Sequence, residues 1–145
     1  MKILILTPYD PAITCGNNIA SLRLRENFER QGHEVCLIGN CTNITRSAAR
    51  SKAFSFSPDV VLVMHGWRCR EAFFGIKSLN TSPIVVSLRG TDVNEMLADK
   101  RKLQTISTIL HSSEGITVFN ASMFVSVLRR LPLSSAKVHV IPNGL

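Results

Sequence analysis

Six short apolar runs alternate with amphipathic stretches along the chain, and this alternation restricts the fold more than any other feature. The runs cover residues 3–6, 34–38, 59–64, 84–86, 115–119 and 138–141. Each has strand length, and several are apolar almost throughout, as in parallel strands buried on both faces. Between them apolar residues recur at helical spacing. Ala20, Leu24 and Phe28 share one face of a stretch over 19–30, which Gln31-Gly32 ends. Residues 46–56 are basic and weakly helical. Cys69, Ala72, Phe73, Ile76 and Leu79 mark a further helix, and Met96, Leu103, Ile106 and Leu110 mark a long one. Phe124, Val127, Leu128 and Leu131 mark the last, stopped by Pro132. With no internal repeat or linker, the pattern implies an α/β class: a Rossmann-like three-layer α/β/α domain around a mostly parallel six-stranded sheet.

A chain of 145 residues, 45% hydrophobic and 19% charged, suits one globular domain and excludes a disordered one. The opening apolar run is cut by Thr7, Pro8, Tyr9 and Asp10, too early for a secretory signal. No run has transmembrane length. Cysteines 15, 36, 41 and 69 form no CxxC pair and read as unpaired cytoplasmic thiols. The net charge of +7 calls for anionic company. The basic groups are not interleaved with aromatics, which argues against nucleic acid. Phosphates or an anionic membrane surface, met peripherally, fit better.

In a parallel sheet with right-handed crossovers, ligands bind at the C-terminal ends of the strands. Most of the small and polar residues of the chain fall there. Tyr9, Asp10, Cys15, Gly16, Asn17 and Asn18 follow the first run. His65, Gly66, Trp67 and Arg68 follow the third, and Arg89, Gly90, Thr91 and Asp92 the fourth. Asn120 and Ser122 follow the fifth. Gly16-Asn17-Asn18 suits a helix N-terminus that holds a phosphate or polar sugar, or a plain N-cap. Neither GxGxxG nor GxxxxGK[ST] is present, which excludes the usual dinucleotide and P-loop sites. Arg89 offers a fork of donors to an anionic oxygen. Asp92 suits orienting a hydroxyl or acting as a base; its spacing to Glu95 also fits a capping box, which spacing alone favours. His65 is either structural or a site residue, and Trp67 either stacks on a sugar or fills a gap. The close at Ile141-Pro142-Asn143-Gly144 reads as a hinge between domains.

Four segments carry a family resemblance: Lys2 to Leu6 with Gly16 before the first helix, Gly32-His33-Glu34-Val35, Arg89-Gly90-Thr91-Asp92, and Val140-Ile141-Pro142-Asn143-Gly144. Their order over the whole chain resembles the N-terminal domain of retaining GT-B glycosyltransferases of the group 1, family 4 type. The resemblance implies that residues 1–145 are the acceptor-side Rossmann-like half of a GT-B fold. The C-terminal donor-binding domain is expected to be absent from this chain. It places the donor phosphates at Gly16, Asn17 and Asn18 and makes Asp92 the catalytic polar residue, where Gly-Thr-Asp stands in place of the more usual His. His65, Trp67, Arg89, Thr91 and Asn120 are then acceptor-binding, and Pro142, Asn143 and Gly144 form the interdomain hinge. The nucleotide-sugar is a substrate, and neither cofactor nor metal is expected. The function implied is transfer of a sugar from a nucleotide-sugar donor to an acceptor with retention, the isolated half being weak or inactive. A non-catalytic scaffold that recruits a catalytic partner and a GT-B sugar epimerase fragment are the alternatives.

Overall fold

The computed structural model describes residues 1–142. Of the expected hinge, Asn143 and Gly144 lie outside them; Pro142 is exposed beyond the last strand. The elements alternate as the apolar pattern implies. They are β1 (Lys2–Leu6), α1 (Gly16–Arg30), β2 (Glu34–Ile38), α2 (Arg46–Phe56), β3 (Val60–Val63) and α3 (Arg70–Lys77). Then come β4 (Ile84–Ser87), a wide π-helical turn (Asp92–Met96), α4 (Lys100–Ser112), β5 (Gly115–Val118), α5 (Ala121–Arg130) and β6 (Val138–Val140). All five strand pairings are parallel, in the order β2-β1-β3-β4-β5-β6. This is a Rossmann-like α/β architecture.

The order reverses once, and that reversal sets the layers. From β1 the chain steps one way to β2; every later step runs the other way. Right-handed crossovers therefore put α1 on one face and α2 to α5 on the other. The core divides accordingly. Leu4, Leu6, Val61, Val63, Ile84, Val86, Ile116 and Val118 pack with Ala53, Phe73, Ile106 and Val127 from the four helices. Ile3 and Ile5 pack with Ala20, Leu24 and Phe28 of α1. One of the three layers is thus a single helix over β2, β1 and β3.

Local chemistry sets the helix ends. At the end of α1, Gly32 takes φ of 81°, the left-handed region that glycine adopts without strain. His33 N–H then bonds Phe28 O at 3.0 Å, and Gly32 N–H bonds Glu29 O at 3.0 Å. The expected long helix over 96–110 begins later than its apolar spacing suggests. Asp99 caps α4, its side chain accepting from Arg101 N at 2.9 Å. The bonds around Asp99 hold its carboxyl below the ordinary range, backbone N–H of Arg101 first.

The α2–α3 contact depends on one missing side chain. A Cβ on Gly75 would collide with the backbone carbonyl of Arg46 in the first turn of α2. Alanine gains about 1 kcal/mol of intrinsic helix preference. Overpacking costs about 1–3 kcal/mol, and a backbone carbonyl cannot rotate aside as a side chain can. Gly75→Ala is therefore expected to lower stability by up to about 2 kcal/mol net, read as a lower urea midpoint. An unchanged or higher midpoint would show that α2 yields without cost.

Candidate functional site

The loops after β1 and β3 lead to opposite faces of the sheet, so a crevice opens between the C-terminal ends of these strands, at the topological switch point. A cleft of about 400 Å³ lies beside it on the same edge, lined from the loops after β1, β4 and β5. Tyr9, Cys15, Gly16 and Asn17 form one wall, at the entry to α1. Arg89, Gly90 and Thr91 form the opposite wall after β4, and Phe119 closes the end after β5. A larger hollow of about 510 Å³ lies at the outer edge of the sheet, between β2 and α2 around Cys36, Lys52 and Phe56. It collects none of the residues from the strand ends.

Expectation and structure differ first at the start of α1. The cap residue is Cys15, with no side-chain cap bond, so Asn17 and Asn18 lie inside the helix. The first N–H groups of α1 thus lack a side-chain cap beside the cleft. No atom would meet a Cβ on Gly16 within 4 Å, so the space above it is open. Asn18 is corrected from a ligand contact to a strut. It is buried, accepts from Thr7 Oγ1 at 2.8 Å, and donates to the carbonyls of Asp10 and Ile13 at 2.6 and 2.7 Å. These bonds fix the loop that leads into α1.

Asp92 is neither a cap nor a residue facing the cleft. Its side chain is fully buried. Oδ2 accepts from the backbone N–H groups of Gly66 and Arg89, both at 3.2 Å, and Oδ1 accepts from Trp67 N–H at 3.2 Å. His65 Nδ1 lies 2.8 Å from Oδ1, also fully buried. Arg68 N sits 3.3 Å from the same Nδ1, but the shorter carboxylate contact takes the ring proton. Nε2 is then the acceptor for the Thr91 hydroxyl at 2.9 Å. One carboxylate thus ties the loops after β3 and β4 together and, through His65, sets the rotamer of Thr91 at the cleft wall. A carboxylate so enclosed is not placed to touch a sugar, and both Asp92 and His65 act as positioning residues.

Two more expected contacts move away from the cleft. Trp67 packs on the helical side, with Arg70 Cζ 4.3 Å and Lys102 Nζ 5.5 Å from its ring centre. Asn120 caps α5, accepting from Met123 N–H at 2.9 Å. Gly16, Asn17, Arg89 and Thr91 do meet in the cleft. Phe119 was missed by counting it as the last strand residue; its place directly after β5 was the available signal.

Arg89 is the cation of the cleft. Its Nε donates to Asn17 Oδ1 at 3.0 Å, and its Cζ stands 4.4 Å from the centre of the Phe119 ring. Burial pulls the guanidinium below its ordinary pKa, and the Asp92 charge works against that. Part of the remaining basic charge is paired with acids, for example Arg25 with Glu29, Arg46 with Glu71, and Lys77 with Glu114. Among the described residues no three His, Cys, Asp or Glu side chains group as a metal site, and no helix is long and apolar enough to cross a membrane.

Replacing Asp92 by Asn would point an amide N–H₂ at backbone donors that now share a carboxylate. Buried donors left without an acceptor cost about 1–3 kcal/mol each. Asp92→Asn is expected to lose about 3 kcal/mol of unfolding free energy, measured by urea denaturation. A loss under about 1 kcal/mol would mean the loops hold without this carboxylate.

No protein-family model matches the sequence. Glycosyltransferase 1 domain-containing protein 1 of Xenopus tropicalis is 20% identical over 130 residues, which is 90% of this chain and 36% of that protein. The chain therefore spans about a third of the length of that relative. A solute-binding protein of an ABC transporter system from Conexibacter woesei overlaps 64% of this chain and 31% of its own at a TM-score of 0.45 and 15% identity, too low for a shared fold. The crystal structure of Anabaena HepE in complex with UDP and glucose aligns with 100% of this chain and 45% of its own, with a TM-score of 0.64 at 12% identity. The chain has the GT-B type of Rossmann-like fold and weak homology to a glycosyltransferase 1 domain protein.

Proposed function

We propose that this chain is the acceptor-side half of a glycosyltransferase that moves a sugar from a nucleotide-sugar donor to an acceptor, with retained configuration at the anomeric carbon. The observation that carries this reading is the cleft itself: the uncapped N-terminus of α1 and a guanidinium face each other beside the switch point of the sheet. The similarity to a glycosyltransferase 1 domain protein supports it. So does the shared fold of a protein crystallised with UDP and glucose.

In this reading the donor phosphates lie against the first N–H groups of α1, at Gly16 and Asn17, where the helix dipole favours negative charge. Thr91 and Arg89 face the acceptor. With the ring proton of His65 on Nδ1, Thr91 gives its own proton to Nε2, and its oxygen is free to accept from an acceptor hydroxyl. The bond from the anomeric carbon to phosphate breaks, the acceptor oxygen forms the new bond on the same face while its proton passes to the departing phosphate oxygen, and the cleft stabilises the departing phosphate charge. In this reading a second domain holds the nucleotide and closes the site.

The test is sugar transfer by the complete protein with a panel of nucleotide-sugars, the product anomer being read by NMR. A glycoside with the donor's configuration is expected. An inverted product, a free sugar, or no turnover with any donor overturns the reading. Gly16→Ala separates site from fold: its Cβ meets nothing within 4 Å, so the melting temperature stays close to that of the parent. It occupies space where the phosphates would lie, so kcat/KM is expected to fall at least about tenfold, equivalent to about 1.4 kcal/mol.

A further inference from the structure

We infer that Arg89 reads an anion, so that the ligand of the cleft presents a phosphate or a carboxylate to its guanidinium. The inference rests on the cleft being a sugar-ligand site and adds the charge of what occupies it. Arg89 is only 8% exposed, yet it has no carboxylate partner among the described residues. Of its nitrogens, Nε is committed to Asn17 Oδ1 and the backbone N–H to Asp92. The two terminal nitrogens bond no described residue. No fully enclosed side-chain nitrogen or oxygen lacks a partner among the described residues, so these two keep contact with solvent, and Arg89 lines the cleft. The nearest acid, Asp92, is turned away and satisfied by three backbone N–H groups and His65. No lining side chain of the cleft is acidic.

Rigidity makes the site selective. The Asn17 bond fixes one end of the guanidinium and the Phe119 ring lies beneath its plane, so the free pair of N–H donors is held as a planar fork. A fork so held matches two oxygens of one phosphate or carboxylate. The uncapped start of α1 adds partial positive charge from the facing wall. A neutral sugar hydroxyl would leave much of that field unmatched.

The anion has two available sources, a donor phosphate or an acidic sugar, and binding to this chain distinguishes them. Calorimetric titration with UDP tests the first and glucuronate the second, with glucose as the neutral reference. At least one anion is expected to bind, and Arg89→Gln to weaken it about 10- to 100-fold, the span of a charge-assisted pair. Arg89→Lys is expected to restore part of this by keeping the charge without the fork. Arg101→Gln, on a side chain 91% exposed, controls for net charge and should change nothing. Should Arg89→Gln not fold, the Nε–H resonance of Arg89 in the parent chain gives the same answer, shifting with the bound anion and not with glucose. A preference for UDP assigns the fork to phosphate, and a preference for glucuronate assigns it to an acidic acceptor. Equal binding of glucose and the anions, anion binding untouched by Arg89→Gln, or no anion binding at millimolar concentration overturns the inference. Anion binding without sugar transfer by the complete protein would uphold the fork and overturn the transferase reading instead.

Discussion

The buried carboxylate of Asp92 is the interaction on which the site depends. At the end of a parallel strand the backbone N–H groups lose their ladder partners and must find others. The loops after β3 and β4 solve this with one side chain that accepts from Gly66, Trp67 and Arg89 together. A carboxylate has the lone pairs for that and an amide does not. The same group orients His65, which orients Thr91. The position of the cleft wall is therefore inherited from a group the ligand never reaches.

Charge in this molecule works at two scales. The net +7 is spread over the surface, where several ion pairs are exposed and individually weak. The cleft holds one cation, withdrawn from solvent and without an acid facing it. Salt screens the first population far more than the second. The charge of the cleft is thus set by one residue, not by the sum of the basic groups.

The strands were legible because parallel strands buried on both faces leave apolar runs that little else produces. The edge carrying the site followed from strand direction alone, and Gly16, Asn17, Arg89 and Thr91 do meet there. Roles were harder to read than places. Asp92 with Glu95 looked like a local cap, but the bonds that decide its role reach back more than twenty residues, to Gly66 and Trp67. No local spacing encodes such a reach. Asn18 and Trp67 failed for a related reason: a polar or aromatic residue beside a site turns inward or outward according to packing, which sequence order does not state. The start of α4 was misplaced because Met96 continues its apolar spacing through a turn of different pitch.

That turn ties chain length to chemistry. Between Asp92 and Leu97 the backbone bond spans five residues, Leu97 N to Asp92 O at 2.9 Å, one more than an α-helix allows. Successive residues of an α-helix are rotated by about 100°. Removing a single residue here would let the turn relax to ordinary pitch and swing the downstream chain by about that angle, away from the α4 seat at Asp99. The segment is thus a spacer whose count matters as well as its buried residues: its exposed Asn94 and Glu95 can vary, while an insertion or deletion of one residue would shift α4 against the sheet.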